Sequence, residues 1–397
     1  MPASLGVADI VRRHGDDYRR AMPAVSVAQR RVLTAIAQCR TAALGGHVEQ
    51  CDRCPHTRVW YNSCRNRHCP ACQGLARAHW IARREAELLD CEYFHVVFTV
   101  PAPIATLASQ QKAVVYAILF RAAAQTLRTI AADPKHLGAE IGVLAVLHTW
   151  GQQLQHHPHL HCVVTGGGLS PDGARWVACR PGFFLPVRVL SRLFRRLVLQ
   201  DLQQAFAAGQ IGGLGARDSH RDAATFHAHM ASARAVEWVV YAKRPFAGPA
   251  QVLAYLGHYT HRVAIANQRL IDLTDGHVRF RWKDYRCQAR VKTMTLTATE
   301  FLRRFLLHVL PPGFQRIRYY GLLGNRHRAD KLARCRRCLE MPAASAPPTD
   351  TLRDHRDRLE ALTGVSLRRC PRCHEGHMID VALAASPSTD AAVVNTS

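Results

Sequence analysis

The clearest signal along the chain is the changing period of its apolar positions. Residues 91–101, CEYFHVVFTVP, are rich in aromatic and β-branched side chains and stop at proline, which predicts a strand. Residues 107–132 carry Ala and Leu at helical spacing as far as Asp133-Pro134, where a helix must stop. IGVLAVLHTW (141–150) is a continuous apolar run, as a buried strand requires, and HLHCVVTG (159–166) is the next. SPDG (170–173) supplies a tight turn into ARWVAC. AATFHAHMASARAVEW returns to helical spacing, and another helix is expected after Gly248-Pro249. Neighbouring strands joined by short turns predict an antiparallel sheet.

Within this pattern residues 156–168 read HHPHLHCVVTGGG, with His157, His159 and His161 on alternate positions. On a strand such residues share a face at roughly 7 Å spacing, and neighbouring imidazoles are what a divalent metal takes. With 23 His in 397 residues a His-x-His pair also arises by chance, as at His227 and His229. That second pair lies on a predicted helix, where i and i+2 do not share a face. Gly166–Gly168 lack the G-x-x-x-x-G-K-[ST] phosphate loop, which occurs nowhere else in the chain, and read as a hairpin end. The other notable pair is Tyr255 and Tyr259 in AYLGHYTHR. Four residues apart on a helix, the two phenols share a face. Two core tyrosines are the plain reading of that spacing alone, but beside a His-x-His strand the pair becomes a candidate nucleophile set.

Charge narrows the partner. There are 53 Lys+Arg against 29 Asp+Glu, a formal +24 with basic residues along the whole chain, and this suits a polyanion such as nucleic acid. The first residues, MPASLGVADIVRRHGDDYRR, lack the apolar core of a signal peptide, and no apolar run approaches the roughly 20 residues of a membrane span. The chain is therefore expected to be soluble and intracellular, where its 14 cysteines serve as metal ligands before disulfides. CDRC (Cys51, Cys54) and CPAC (Cys69, Cys72) are two knuckles expected to close one tetrahedral zinc site. Cys39, His47, Cys64 and His68 are available for a second. CRRC (Cys335, Cys338) and CPRC (Cys370, Cys373) are expected to pair near the end of the chain, across the stretch MPAASAPP. Cys91, Cys162, Cys179 and Cys287 read as core fillers. His47-Val48-Glu49 ahead of a C-x-x-C superficially suggests a zinc deaminase, but that pattern needs proline before the first cysteine, and here Pro70 lies inside the knuckle.

Taken together, LGGHVEQCDRC, YNSCRNRHCPAC, HPHLHCVV, VYAKRPFAGPAQVLAYLGHYTHRVAIAN and NRHRADKL resemble rolling-circle transposases of the insertion-sequence ninety-one family, two-tyrosine members of the HUH endonuclease superfamily. The resemblance spans roughly 39–373. It implies an α+β fold with a central antiparallel sheet flanked by helices and small zinc-knuckle modules at both ends. It assigns His159 and His161 as ligands of a catalytic Mg²⁺ or Mn²⁺ and Tyr255 and Tyr259 as nucleophiles. The third ligand stays open among His157, Gln152 and Gln153, and Pro158 would remove His157 if it bent the strand. The implied reaction nicks and rejoins single-stranded DNA through a 5′-phosphotyrosine, with structural zinc, in the cytoplasm at the nucleoid.

The expected organisation is a helical segment (1–36), a zinc-binding domain (37–82), an HUH-like nuclease domain (88–330), a C-terminal zinc-knuckle module (331–378) and a disordered tail (379–397). The zinc modules, basic around RNRH and CRRC, are expected to grip single-stranded or hairpin ends of a mobile element, with Lys243, Arg244, Arg262 and Arg326 as backbone contacts. Two rivals stand. A tyrosine recombinase would use Tyr259 near His261 and Arg262 without metal, leaving the His-x-His strand unexplained. A zinc protein that binds DNA without cutting it would form no covalent adduct. No acidic cluster supports a carboxylate-triad transposase.

Overall fold

The computed structural model describes residues 5–182, 184–211, 223–243, 251, 252, 255, 257, 264–343, 356, 357, 360, 361, 364 and 366–384. Along the chain come α1 (Val7–Ala21), α2 (Val27–Gln38), β1 (Gly46–Cys51), β2 (Thr57–Tyr61), α3 (Gln73–Glu85), β3 (Tyr93–Thr99), α4 (Ala102–Gln110) and α5 (Lys112–Ala132). Next are β4 (Glu140–Trp150), β5 (His156–Leu169), β6 (Trp176–Ala178), α6 (Val187–Ala207), α7 (Ala223–Ala235) and β7 (Val240–Lys243). Then follow β8 (Leu270–Thr274), β9 (His277–Asp284), β10 (Arg290–Thr297), α8 (Ala298–Leu307), β11 (Ile317–Gly321), α9 (Arg328–Cys338) and β12 (Met378–Ala384). They gather into two units, each discontinuous in sequence. The first comprises Met1–Arg83, His261–Val309 and Pro347–Ser397, and the second Arg84–Thr260 and Leu310–Ala346.

The second unit is built on an antiparallel sheet of order β11-β4-β5-β3-β7, with β6 added at the end of β5. This is the α+β architecture expected. Alternation decides what each face carries. Phe94, Val96 and Phe98 of β3, Val143, Ala145 and Leu147 of β4, and Leu160, Cys162 and Val164 of β5 share one core with α4, α5, α6 and α7. The opposite face receives the odd positions of β3 and β5, and the histidines with them. The expected helix does end at Ala132, before Asp133-Pro134. By length and composition α5 is apolar enough to cross a membrane, contrary to the reading of the apolar runs. Here Tyr116, Leu119, Phe120 and Leu127 of that helix lie in the core. The glycine cluster is the hairpin end expected, the last residues of β5 paired with β6: a Cβ on Gly168 would stand 2.1 Å from the Glu140 carbonyl oxygen of β4, so only glycine permits that approach.

Phe98 fills the centre of the core, 1% exposed, with its ring 4.7 Å from that of Phe194 on α6. Phe98→Ala is expected to cost about 3–5 kcal/mol, measured as a lower denaturant midpoint at unchanged slope.

In the first unit, α1 buries Val7, Ile10, Val11 and Tyr18, a helical stripe that packs against α2 and α8. The Ser26 hydroxyl accepts from Gln29 N–H while the Gln29 side chain accepts from Ser26 N–H, a reciprocal cap that starts α2. Two three-stranded sheets complete the unit, β12-β1-β2 and β10-β9-β8. The first corrects the expected tail. Residues 378–384 are a strand, antiparallel to β1 with Cys51 opposite Met378, while 385–397 lie outside the described residues.

Candidate active site and cysteine clusters

β5 carries Pro158 without leaving the sheet, so His157, His159 and His161 stay on one face. Register brings in a residue that spacing did not reveal. His148 of β4 stands opposite His159, and Val146 opposite His161. Nitrogen atoms of His148, His159 and His161 all lie within 4.8 Å of one another, close enough for one metal ion. His157 points the same way, its ring 5.2 Å from that of His159, but is outside this triplet. Gln152 and Gln153 lie in the turn between β4 and β5.

The hydrogen bonds show which nitrogens are available. His159 Nδ1 is 2.7 Å from the His157 carbonyl oxygen, which only accepts, so Nδ1 carries the proton and Nε2 keeps its lone pair. Burial is the main cause that lowers His159 to about 4. It likewise holds His161 well below the usual imidazole range, with His148, His159, His95 and Lys243 adding to the effect. Uncharged imidazoles are ligands; protonated ones are not.

A fourth histidine, His95 of β3, sits diagonally from His161, whose direct neighbour is Val97. Its Nε2 is 2.8 Å from His161 Nδ1. Burial first, then Lys243 and His159, push it down to about 3, so it too is neutral at pH 7. Tyr255, in helical backbone, places its phenol oxygen 2.6 Å from His95 Nε2 and 3.2 Å from His161 Nδ1. Three residues earlier, Val252 is fully buried and lines a small cavity with Leu144, Val163 and Tyr319. Lys243 of β7 is in register with His95 and exposed. Tyr259, Arg244 and Arg262 lie outside the described residues. Arg326 is exposed in a short turn before α9, and His227 and His229 are on α7, apart from the triplet.

His95 and His148 belong to no repeated spacing in the sequence, so neither stands out beside the alternating histidines of β5. Each is a histidine set in a largely apolar strand, FHVVF and LHTW. That was the available signal, since a polar group kept at a buried position needs a partner.

The cysteines are regrouped. Cys39, Cys64, Cys69 and Cys72 form one set of four thiols, and Cys51, Cys54, Cys370 and Cys373 another. Sulfur separations are 3.4 Å for Cys39–Cys72, 3.6 Å for Cys64–Cys72, 3.7 Å for Cys51–Cys373 and 3.7 Å for Cys54–Cys370. Four thiolates about 2.3 Å from a zinc would be about 3.8 Å apart, while a disulfide needs about 2 Å. The geometry fits zinc. The expected union of the CDRC and CPAC knuckles is therefore not the one formed, nor is that of CRRC with CPRC. Cys335 is buried in α9, and Cys338 Sγ lies 3.5 Å from the Ala174 carbonyl oxygen. His47 faces Glu49 and Asp380 at 3.6 and 3.8 Å, and neither His47 nor His68 joins a thiol set. Of the expected core fillers, Cys162 is buried, Cys91 and Cys179 are half-buried, and Cys287 is exposed in the β9–β10 turn. Gly376 must be glycine, because a Cβ there would come within 2.5 Å of Cys51 Sγ.

Comparison with known proteins matches these parts. A family model described as "Putative transposase" covers residues 142–331, which hold His148, His159, His161 and Tyr255. Another, "Transposase zinc-binding domain", covers residues 10–100, with His95 and six of the eight clustered cysteines. Over 377 residues the chain is 62% identical to "Putative transposase y4qJ" of Sinorhizobium fredii, covering 95% of each. The chain belongs to the insertion-sequence ninety-one transposase family. This transposase is also 30% identical, over 349 residues, to "Transposase for insertion sequence element IS801" of Pseudomonas savastanoi pv. phaseolicola, covering 86% of the present chain and 80% of that one. No solved structure matches the transposase. Cys370 and Cys373 fall outside both matched regions, although they complete the second thiol set.

Proposed function

We propose that this transposase nicks and rejoins single-stranded DNA through a 5′-phosphotyrosine on Tyr255, the step that drives rolling-circle transposition. The observation that carries the reading is the position of the Tyr255 phenol, hydrogen-bonded to His95 at the edge of the His148–His159–His161 triplet. A divalent ion held by those three imidazoles would supply positive charge to the scissile phosphate. An all-nitrogen set suits Mn²⁺ better than the harder, oxygen-seeking Mg²⁺.

The rest of the chemistry belongs to the chain. His95, uncharged, accepts the phenolic hydrogen bond and turns the Tyr255 oxygen toward the triplet. Lys243, in register with His95 on the edge strand, offers a cation to the flanking phosphates. The Tyr255 hydroxyl releases its proton to water and its oxygen bonds to phosphorus, as the 3′ oxygen departs and takes a proton from water, so no net proton is gained or lost. One phosphodiester replaces another, so the 3′ hydroxyl of a second strand can reverse the step without ATP. Tyr259, four residues on in the sequence, would hold a second DNA end. The two thiol sets, each filled by a structural zinc, brace the first unit for gripping the element's ends. Such an enzyme would work in the cytoplasm, at the nucleoid.

The test is incubation of the full chain with single-stranded oligonucleotides from the element's ends and Mn²⁺ or Mg²⁺, followed by denaturing electrophoresis. A covalent protein–DNA band is expected. EDTA should abolish it, and His148→Ala should slow it roughly a thousandfold, the several kcal/mol that metal-assisted charge stabilisation contributes. Undiminished adduct in EDTA would favour a recombinase mechanism, and DNA binding without adduct a binding protein.

A further inference from the structure

β9 and β10 pair along their whole length, from His277 opposite Thr297 to Asp284 opposite Arg290. β8 supports only the near half, between His277 and Phe280. Beyond Phe280 the two strands continue alone as a ribbon that ends in the turn Tyr285–Cys287. Alternation sets Arg281 and Lys283 on one face of this ribbon and Arg290 and Lys292 on the other, and all four are exposed. The one carboxylate between 281 and 293, Asp284, is taken by Lys292 at 2.8 Å. Tyr285 at the tip is 69% exposed and Val291 58% exposed, so the ribbon adds nothing to a core. Its root is firm: Arg269 Nε donates to the Arg281 carbonyl at 2.8 Å, and buried Phe280 packs against Phe301 at 6.0 Å.

We propose that this ribbon is a DNA-binding arm that enters the major groove of a duplex stem. That groove, about 12 Å wide and 8.5 Å deep, admits a two-stranded β-ribbon. Arg281 to Asp284 spans about 10 Å, enough to reach the floor. Phosphates line both walls of a groove, and this ribbon carries cations on both faces. The exposed Tyr285 ring then meets base edges at the tip. The inference rests on the transposase acting on DNA, not on phosphotyrosine chemistry.

Fluorescence anisotropy of the full chain on a labelled hairpin oligonucleotide, repeated over a range of KCl, tests it. Each phosphate contact adds about 0.9 to the slope of log affinity against log salt, so Arg281→Ala/Lys283→Ala should lower the slope by about 1.8 and weaken binding at least about tenfold. Arg188→Ala/Arg192→Ala, which removes equal charge from the exposed side of α6, should leave the slope unchanged. If the alanine pair melts early, Arg281→Gln/Lys283→Gln takes its place. Equal losses from the ribbon and α6 pairs, or no loss from the ribbon pair, overturn the arm alone. Failure of the unaltered chain to bind any DNA overturns the arm and the DNA reading together.

Discussion

Tyr255→Phe is expected to remove most covalent attachment to single-stranded DNA, a loss of at least about a thousandfold in adduct rate, while DNA binding stays close to that of the unaltered chain. Phenylalanine keeps the ring beside His95, at a centroid separation of 4.6 Å, and deletes only the oxygen that forms the bond. Loss of packing therefore cannot account for the result. Any residual band should come from Tyr259 and vanish in Tyr255→Phe/Tyr259→Phe. Digestion of the adduct to a tyrosyl peptide identifies the attacking residue. If Tyr255→Phe forms adduct at the original rate, the assignment of the nucleophile is wrong, however close the phenol lies to the histidines.

The second large effect concerns zinc. Two ions per chain are expected from mass-spectrometric metal analysis. Cys370→Ser should leave one, whereas Cys338→Ser should leave both. In isolated zinc-finger peptides a structural zinc contributes on the order of 10–16 kcal/mol, as much as the whole net stability of an ordinary domain, about 5–15 kcal/mol. Cys69→Ser is therefore expected to unfold the region around α2 and α3, seen as early melting and protease sensitivity. Cys370→Ser should in addition free β12 from β1, seen as faster amide exchange at Asp52, whose N–H donates to the His377 carbonyl at 3.1 Å. Loss of one zinc ion by Cys338→Ser would restore the pairing that sequence spacing suggested, and retention of two by Cys370→Ser would overturn both pairings.

That pairing shows where sequence reading stops. Two-residue spacing marks Cys51–Cys54 and Cys370–Cys373 as half-sites, but which half-sites meet depends on strand pairing across 322 positions. Such pairing leaves no local trace. The sheet of the second unit was legible because each strand states its own buried face, as CEYFHVVFTVP and IGVLAVLHTW do. The alternating histidines of β5 were legible for the same reason. His148 was not, since it belongs to the site only through its register with His159, and register is a property of two strands together. His95 needed the diagonal offset of a third strand as well. The start of the tail misled because MIDVALA is short and mildly apolar, and it becomes a strand only by borrowing the edge of β1.

The sheet that joins β12 to β1 also imposes a timetable on synthesis. At ribosomal rates of about 5–20 residues per second, the 322 positions between Cys51 and Cys373 take roughly 16–64 s to emerge. Until then half of one metal site has no counterpart and β1 has an open edge. Fragments cut short by a frameshift or a premature stop never acquire the missing strand. A decayed copy of the gene that stops before residue 370 thus yields a polypeptide with one complete thiol set, one half-set and no strand to cover the edge of β1.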